Sequence, residues 1–135
     1  MDNEKKKMLS DFAIKAAQRL EDKKVTKYKT LYVPSLDENI KIRSLTRKEV
    51  IECMNVEDTD EDPDRSDNYT LYLSVVEPSL KEVAKELKEE GKIVEYTDVC
   101  NIFEMHERVS IAQEIMKLSG VIGTSKVAVV EELKN

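Results

Sequence analysis

Apolar residues recur along this 135-residue chain at two different periods, and the places where the period changes mark the elements. Leu9, Phe12, Ala13, Ala16, Ala17 and Leu20 fall at helical spacing with Lys15, Arg19 and Glu21 between them, which predicts a first helix over residues 8–21. A charged connector follows. Tyr28, Leu31, Tyr32 and Val33 then form a β-prone run, Pro34, Ser35, Asp37, Glu38 and Asn39 supply turn chemistry, and Ile40, Ile42 and Leu45 alternate with Lys41, Arg43 and Ser44. The expectation is a hairpin of residues 29–33 against 40–44 with one apolar face.

Thr46 has the chemistry of a helix start. Its hydroxyl can accept from the Glu49 amide while the Glu49 carboxylate reaches back to the Thr46 amide, so a helix is expected over 47–55 with Val50, Ile51 and Met54 facing inward. Tyr69, Tyr72, Leu73 and Val76 share one face of a further helix, widened by Leu71 and Val75, until Pro78 biases Glu77 out of helical geometry. Ser79 is placed to cap the next helix, whose stripe is Leu80, Val83, Ala84 and Leu87, with Gly91 at the left-handed position that closes it. Thr97 opens a short helix holding Val99, Ile102 and Phe103. In the last helix Met105, Val109, Ala112 and Met116 form one stripe and Ile111, Ile115 and Leu118 an adjacent one, so about half of its circumference is apolar before Gly120 stops it.

The fold class expected from this order is mainly α, a small helical domain with an N-terminal β-hairpin (α+β). Its parts are an N-terminal helix and connector (1–26), a helical domain with the hairpin (27–120) and a C-terminal tail (121–135) that carries Val121, Ile122, Val127, Val129 and Val130. A hydrophobic content of 40% argues against global disorder, and 37% charged residues with three Gly and three Pro lean toward helix. The beginning MDNEKKKMLSDF lacks an apolar signal region and no run approaches the length of a membrane span, which sets the expectation of a cytoplasmic protein with no membrane partner. Cys53 and Cys100 stand alone, without other thiols or clustered histidine, as reduced structural cysteines would.

Charge is divided unevenly. Residues 1–50 hold 13 Lys or Arg against 8 Asp or Glu, a net of +5, and residues 51–135 hold 9 against 20, a net of −11. The basic part offers one functional alternative, a small regulatory or adaptor domain binding nucleic acid through residues 23–47. Its cations are interspersed with acids, however, whereas phosphate-binding domains gather them on one face. In residues 57–67, EDTDEDPDRSD, seven of eleven positions are acidic, which invites a calcium reading. An EF-hand loop needs Gly at its sixth position and a bidentate Glu at its twelfth. Starting at Asp58 puts Pro63 and Tyr69 there, and starting at Asp60 puts Arg65 and Leu71 there, so a solvated acidic loop is the expectation and no metal is expected.

Catalytic patterns are scarce. His106 is the single histidine, which removes a His-rich metal site and leaves any nucleophile-His pair to His106 with Cys53, Cys100 or a serine. Gly91, Gly120 and Gly123 are the three glycines, too few and too dispersed for a phosphate-cradling loop. A non-catalytic protein without cofactor is expected.

Three stretches carry a family resemblance. Ile42-Arg43-Ser44-Leu45-Thr46-Arg47-Lys48-Glu49-Val50 resembles the strand-to-helix passage of the XkdN-like phage and prophage tail assembly chaperones. Leu73-Ser74-Val75-Val76-Glu77-Pro78-Ser79-Leu80 is similar to the end of that family's central helix, and Ile102-Phe103 with Ile115-Met116-Lys117-Leu118-Ser119-Gly120 to its closing helices. The likeness covers about residues 27–120. It departs before the last helix, where Glu104-Met105-His106-Glu107 stands in place of a Gly-containing turn. The resemblance implies a protein that binds the tape measure protein, keeps its hydrophobic helices soluble, helps bring tail tube subunits to it in the bacterial host cytoplasm, and is not retained in the mature virion. On that reading the wide apolar face at the end of the chain puts client contact on Ile111, Ile115, Leu118, Val121 and Ile122, with closure of the core an open alternative for Ile115 and Leu118. The surplus of apolar residues there also leaves self-association open.

Overall fold

The computed structural model describes residues 2–123 and 127–130. The elements follow in the order α1 (Asn3–Lys24), β1 (Tyr28–Val33), β2 (Glu38–Arg43), α2 (Arg47–Asn55), α3 (Arg65–Ser74), β3 (Val75–Glu77), α4 (Leu80–Glu89), a 3-10 segment (Tyr96–Ile102) and α5 (Met105–Leu118). The fold is mainly helical with one small antiparallel sheet in the order β1-β2-β3. Of the tail expected over 121–135, residues 124–126 and 131–135 lie outside the described residues.

The hairpin forms because alternation and turn chemistry agree. Leu31 faces Ile40 and Lys29 faces Ile42 across the strands, and the turn is closed by Leu36 and Asp37 amides donating to the Val33 and Pro34 carbonyls. Asp37 takes a positive φ of 49°, a conformation that Asp tolerates better than most residues, and its carboxylate accepts from the Tyr32 hydroxyl. Val33, Ile40 and Ile42 are buried on the inner face. On the outer face the Lys41 ammonium sits 5.4 Å from the centre of the Tyr28 ring.

Val75 and Val76, expected to continue a helix, instead form the third strand with Glu77. The β-branched pair Val75-Val76 lies just before Pro78, helix is disfavoured there, and the free edge of β2 offers the alternative pairings Lys41 with Glu77 and Ile42 with Val75. Ser74 makes the switch possible. Fully buried at the end of α3, its hydroxyl donates to the Arg43 carbonyl at 2.6 Å and accepts from the Arg43 amide at 3.2 Å, so one side chain satisfies both backbone groups of a β2 residue. Ser74→Ala is therefore expected to lower stability by about 1–3 kcal/mol, because a buried amide and carbonyl lose their partner. Chemical denaturation followed by circular dichroism measures this directly.

The core gathers Val33, Ile40 and Ile42 of the sheet with Val50 and Cys53 of α2, Leu71 and Leu73 of α3, Leu80 and Ala84 of α4, Val99, Cys100 and Phe103, and Ile111, Ala112 and Ile115 of α5. The inward face of α2 differs from expectation. Val50 and Cys53 are buried while Ile51 and Met54 are exposed, since α2 packs on α3 and the Ser66 hydroxyl donates to the Cys53 carbonyl, which turns this side of the helix inward. The short helix expected at Thr97 is a 3-10 segment, with Asp98 accepting from the Val94 and Glu95 amides at its start; Val99 and Phe103 are buried and Ile102 is exposed.

Thr46 and Glu49 form the reciprocal cap expected of them. Arg43 adds a bidentate pair to the same carboxylate at 2.8 and 2.6 Å, and this guanidinium, more than the Thr46 contacts, holds the Glu49 carboxyl down to about 2 from an ordinary 4.5. A carboxyl depressed by folding contributes stability that is complete above about pH 5 and is lost as the pH falls toward 2. Both side chains are one-fifth exposed, so solvent screening leaves roughly 2 kcal/mol. Glu49→Gln is expected to be less stable than the parent by about that amount at pH 7 and equal to it near pH 2, as thermal melts across the pH range would record.

Candidate docking surface

The last helix does not present the face that its composition suggests. Ile111 is 5% exposed and Ile115 not at all, so these two expected client contacts are core residues that no partner reaches in the folded chain. The burial follows the rows Glu107, Ile111, Ile115 and Arg108, Ala112, Ile115, leaving Met105 and Val109 on the outside. Leu118 is partly buried against the core, while Val121 and Ile122 are each 41% exposed. The turn before α5 is held by acids. Glu107 accepts from the Glu104 amide and from both the amide and hydroxyl of Ser35; the Ser35 hydroxyl is the main reason its carboxyl stays below the usual range.

Leu118 and Val121 instead line a groove of about 460 Å³ between the end of α5, the β2-α2 passage and the C-terminal end of α1. Leu45, Val50 and Val25 supply further apolar wall, and Asp22, Lys23, Lys27 and Arg47 the polar rim. Ser119 shapes its floor by accepting from the Leu45 amide at 2.8 Å and donating to the Ile115 carbonyl at 2.7 Å.

One wall of this groove leads onto α1, which buries none of its 22 residues. Asp2 caps it by accepting from the Lys5 amide at 2.8 Å, and Lys23 and Lys24 in its last turn complement the helix dipole, so local chemistry supports a helix that tertiary packing does not. Met8, Leu9, Phe12, Ile14 and Leu20 are each between 61% and 71% exposed. Leu9, Phe12, Ala13, Ala16 and Leu20 share one face by their three- and four-residue spacing. The row Met8, Phe12, Lys15, Arg19 borders that face on one side and the row Lys6, Ala13, Ala17, Lys24 on the other, while Glu4, Asp11, Gln18 and Asp22 lie opposite. The helix expected over 8–21 is thus longer than its apolar repeat, and the missed signal was the run of charged helix formers on either side.

The other candidates resolve into structural roles. Of the cations in 23–47, Lys24 pairs with Glu21, Lys29 with Glu114, Lys41 with Glu77 and Arg43 with Glu49, which divides the basic stretch among several faces. In the acidic loop Asp58 accepts from the Ser66 amide and Asp64 pairs with Arg108 at 2.9 Å. Among the described residues no group of three or more His, Cys, Asp or Glu converges as a metal site would require. Burial pushes the Cys100 thiol up to about 12, and its sulfur lies 3.2 Å from the Asn68 carbonyl; Cys53 is raised for the same reason. Both thiols are buried and free. No helix among the described residues is long and apolar enough to cross a membrane. Compared with known proteins, the chain matches no family model, no curated protein and no solved structure.

Proposed function

We propose that this chain is a non-catalytic tail assembly chaperone that binds the tape measure protein, keeps its amphipathic helices soluble and helps recruit tail tube subunits during phage or prophage tail morphogenesis. It acts in the bacterial host cytoplasm and is absent from the mature virion. The family resemblance of residues 27–120 supports the reading, and the observation that carries it is α1, a 22-residue helix with no buried residue and an apolar face that leads to an apolar groove. A helix of this kind gains little stability alone and offers a long client helix the apolar contacts that its own fold lacks. In this proposal α1, together with Leu118, Val121 and Ile122, replaces the buried Ile111 and Ile115 as the client surface.

Co-expression of the chain with a helical fragment of the tape measure protein tests it. The wild-type chain is expected to hold the fragment in the soluble fraction, and Leu9→Asp with Phe12→Asp to weaken binding by at least about tenfold, since each removes an apolar contact worth roughly 1.5–3 kcal/mol. Both positions are exposed, so the fold is retained. Unchanged capture by the double variant would reject α1 as the client surface, and failure of the wild-type chain to keep the fragment soluble would reject the chaperone reading.

A further inference from the structure

The face of α1 and the end of the chain are chemical complements. The apolar stripe is bordered by cations, Lys6, Lys15, Arg19 and Lys24 among them, so two α1 helices brought face to face would set like charges against each other. The C-terminal run Val127-Ala128-Val129-Val130-Glu131-Glu132-Leu133 has the opposite character, an apolar segment followed by paired acids. Val127, Val129 and Val130 are 102%, 88% and 91% exposed, so a single chain leaves both α1 and this segment uncovered. The chain also leaves the folded body at Val121, which lines the same groove as Asp22 and Lys23 of α1, so the end of the chain starts beside the helix it complements.

We propose that the occupant of the α1 face is the segment 127–133 of a second copy, exchanged reciprocally. Lengths are comparable, since Leu9 to Leu20 covers roughly 17 Å of helix and the six steps of an extended chain from 127 to 133 roughly 20 Å. Run parallel to α1 and centred on the stripe, the segment sets Glu131 and Glu132 beside Lys15 and Arg19, which border it. Because the same two copies exchange segments with each other, the contact is two-fold and closed and does not propagate. A client helix then competes with the second copy for α1, which links client capture to dissociation. The exchange itself does not depend on the identity of the client.

Sedimentation equilibrium of the full chain, at concentrations up to about 100 µM and low salt, tests the proposal. The expected mass is twice 15.5 kDa. Val129→Asp with Val130→Asp is expected to return it to a single copy, and Lys15→Glu with Arg19→Glu to weaken association at least tenfold. Adding Glu131→Lys and Glu132→Lys to that second variant is expected to restore the doubled mass. Lys15, Arg19, Val129 and Val130 are exposed, so these variants fold, as circular dichroism would verify. A wild-type chain that stays at 15.5 kDa would overturn the exchange. So would a dimer that survives Val129→Asp with Val130→Asp, or a charge swap that fails to restore association.

Discussion

Ile115→Ala is expected to destabilise the fold by about 2–5 kcal/mol, one of the two largest effects of any single change considered. Ile115 has no exposed surface and lies in the same core as Ile42, Leu71, Val99 and Phe103, which belong to three different segments of the chain. Removing three carbons there forfeits their transfer free energy and leaves a cavity that several fixed elements would have to collapse around. The same kind of truncation on α1, Leu9→Ala, removes a side chain that is 61% exposed and is expected to change stability by less than about 0.5 kcal/mol. Urea unfolding of the two variants separates the two apolar surfaces of the chain. A small effect at Ile115 would mean that α5 is free to carry a client face after all.

The second large effect is expected at Arg108. Its guanidinium, 9% exposed on α5, donates to Asn101 at 2.7 Å and to Asp64 at 2.9 Å, so it ties the acidic loop and the 3-10 segment to the last helix. Arg108→Ala leaves the Asp64 carboxylate, itself only 16% exposed, without its cation, beside an Asp67 whose carboxyl is already raised by burial and then by Asp58 and Asp64. Breaking a buried pair from one side costs about 3–5 kcal/mol. Arg108→Met combined with Asp64→Asn removes both charges and is expected to cost less than Arg108→Ala alone, which a double-mutant cycle by urea unfolding measures. The loss in Arg108→Ala should also shrink in acid, because Asp67, raised by burial and no longer held down by Arg108, binds a proton more readily in the folded state. Equal losses in the single and double variants would show that packing by the arginine stem, and not the charge pair, holds these segments.

Much of the fold is legible in the sequence where one local signal suffices. The hairpin, the Thr46-Glu49 cap, the Ser79 cap and the glycine stops at Gly91 and Gly120 rest on neighbouring residues alone, and the structure has each of them. Signals that depend on distant partners were not legible. Strand β3 exists because β2 has a free edge that Ser74 helps to secure, and the inward turn of α2 toward Cys53 is decided by α3. Arg108 and Glu107 look like surface charges on a helical repeat until Asp64, Asn101 and Ser35 come to meet them. The candidate surface suffered most from this. Periodicity finds an apolar stripe but not whether anything lies against it, so α1 and α5 read alike in sequence although α5 is packed and α1 is bare.

The claim that matters most is that the chain captures apolar helices on α1 rather than on the last helix. Hydrogen–deuterium exchange of the full chain, with and without a helical fragment of the tape measure protein, tests it at the level of single segments. At a concentration low enough to leave single copies, α1 lacks tertiary protection and is expected to exchange quickly, then to slow markedly over residues 8–20 when the fragment is added, while the already protected core of α5 around Ile111 and Ile115 changes little. Slowing confined to other segments, with α1 exchanging as fast as before, would contradict the account.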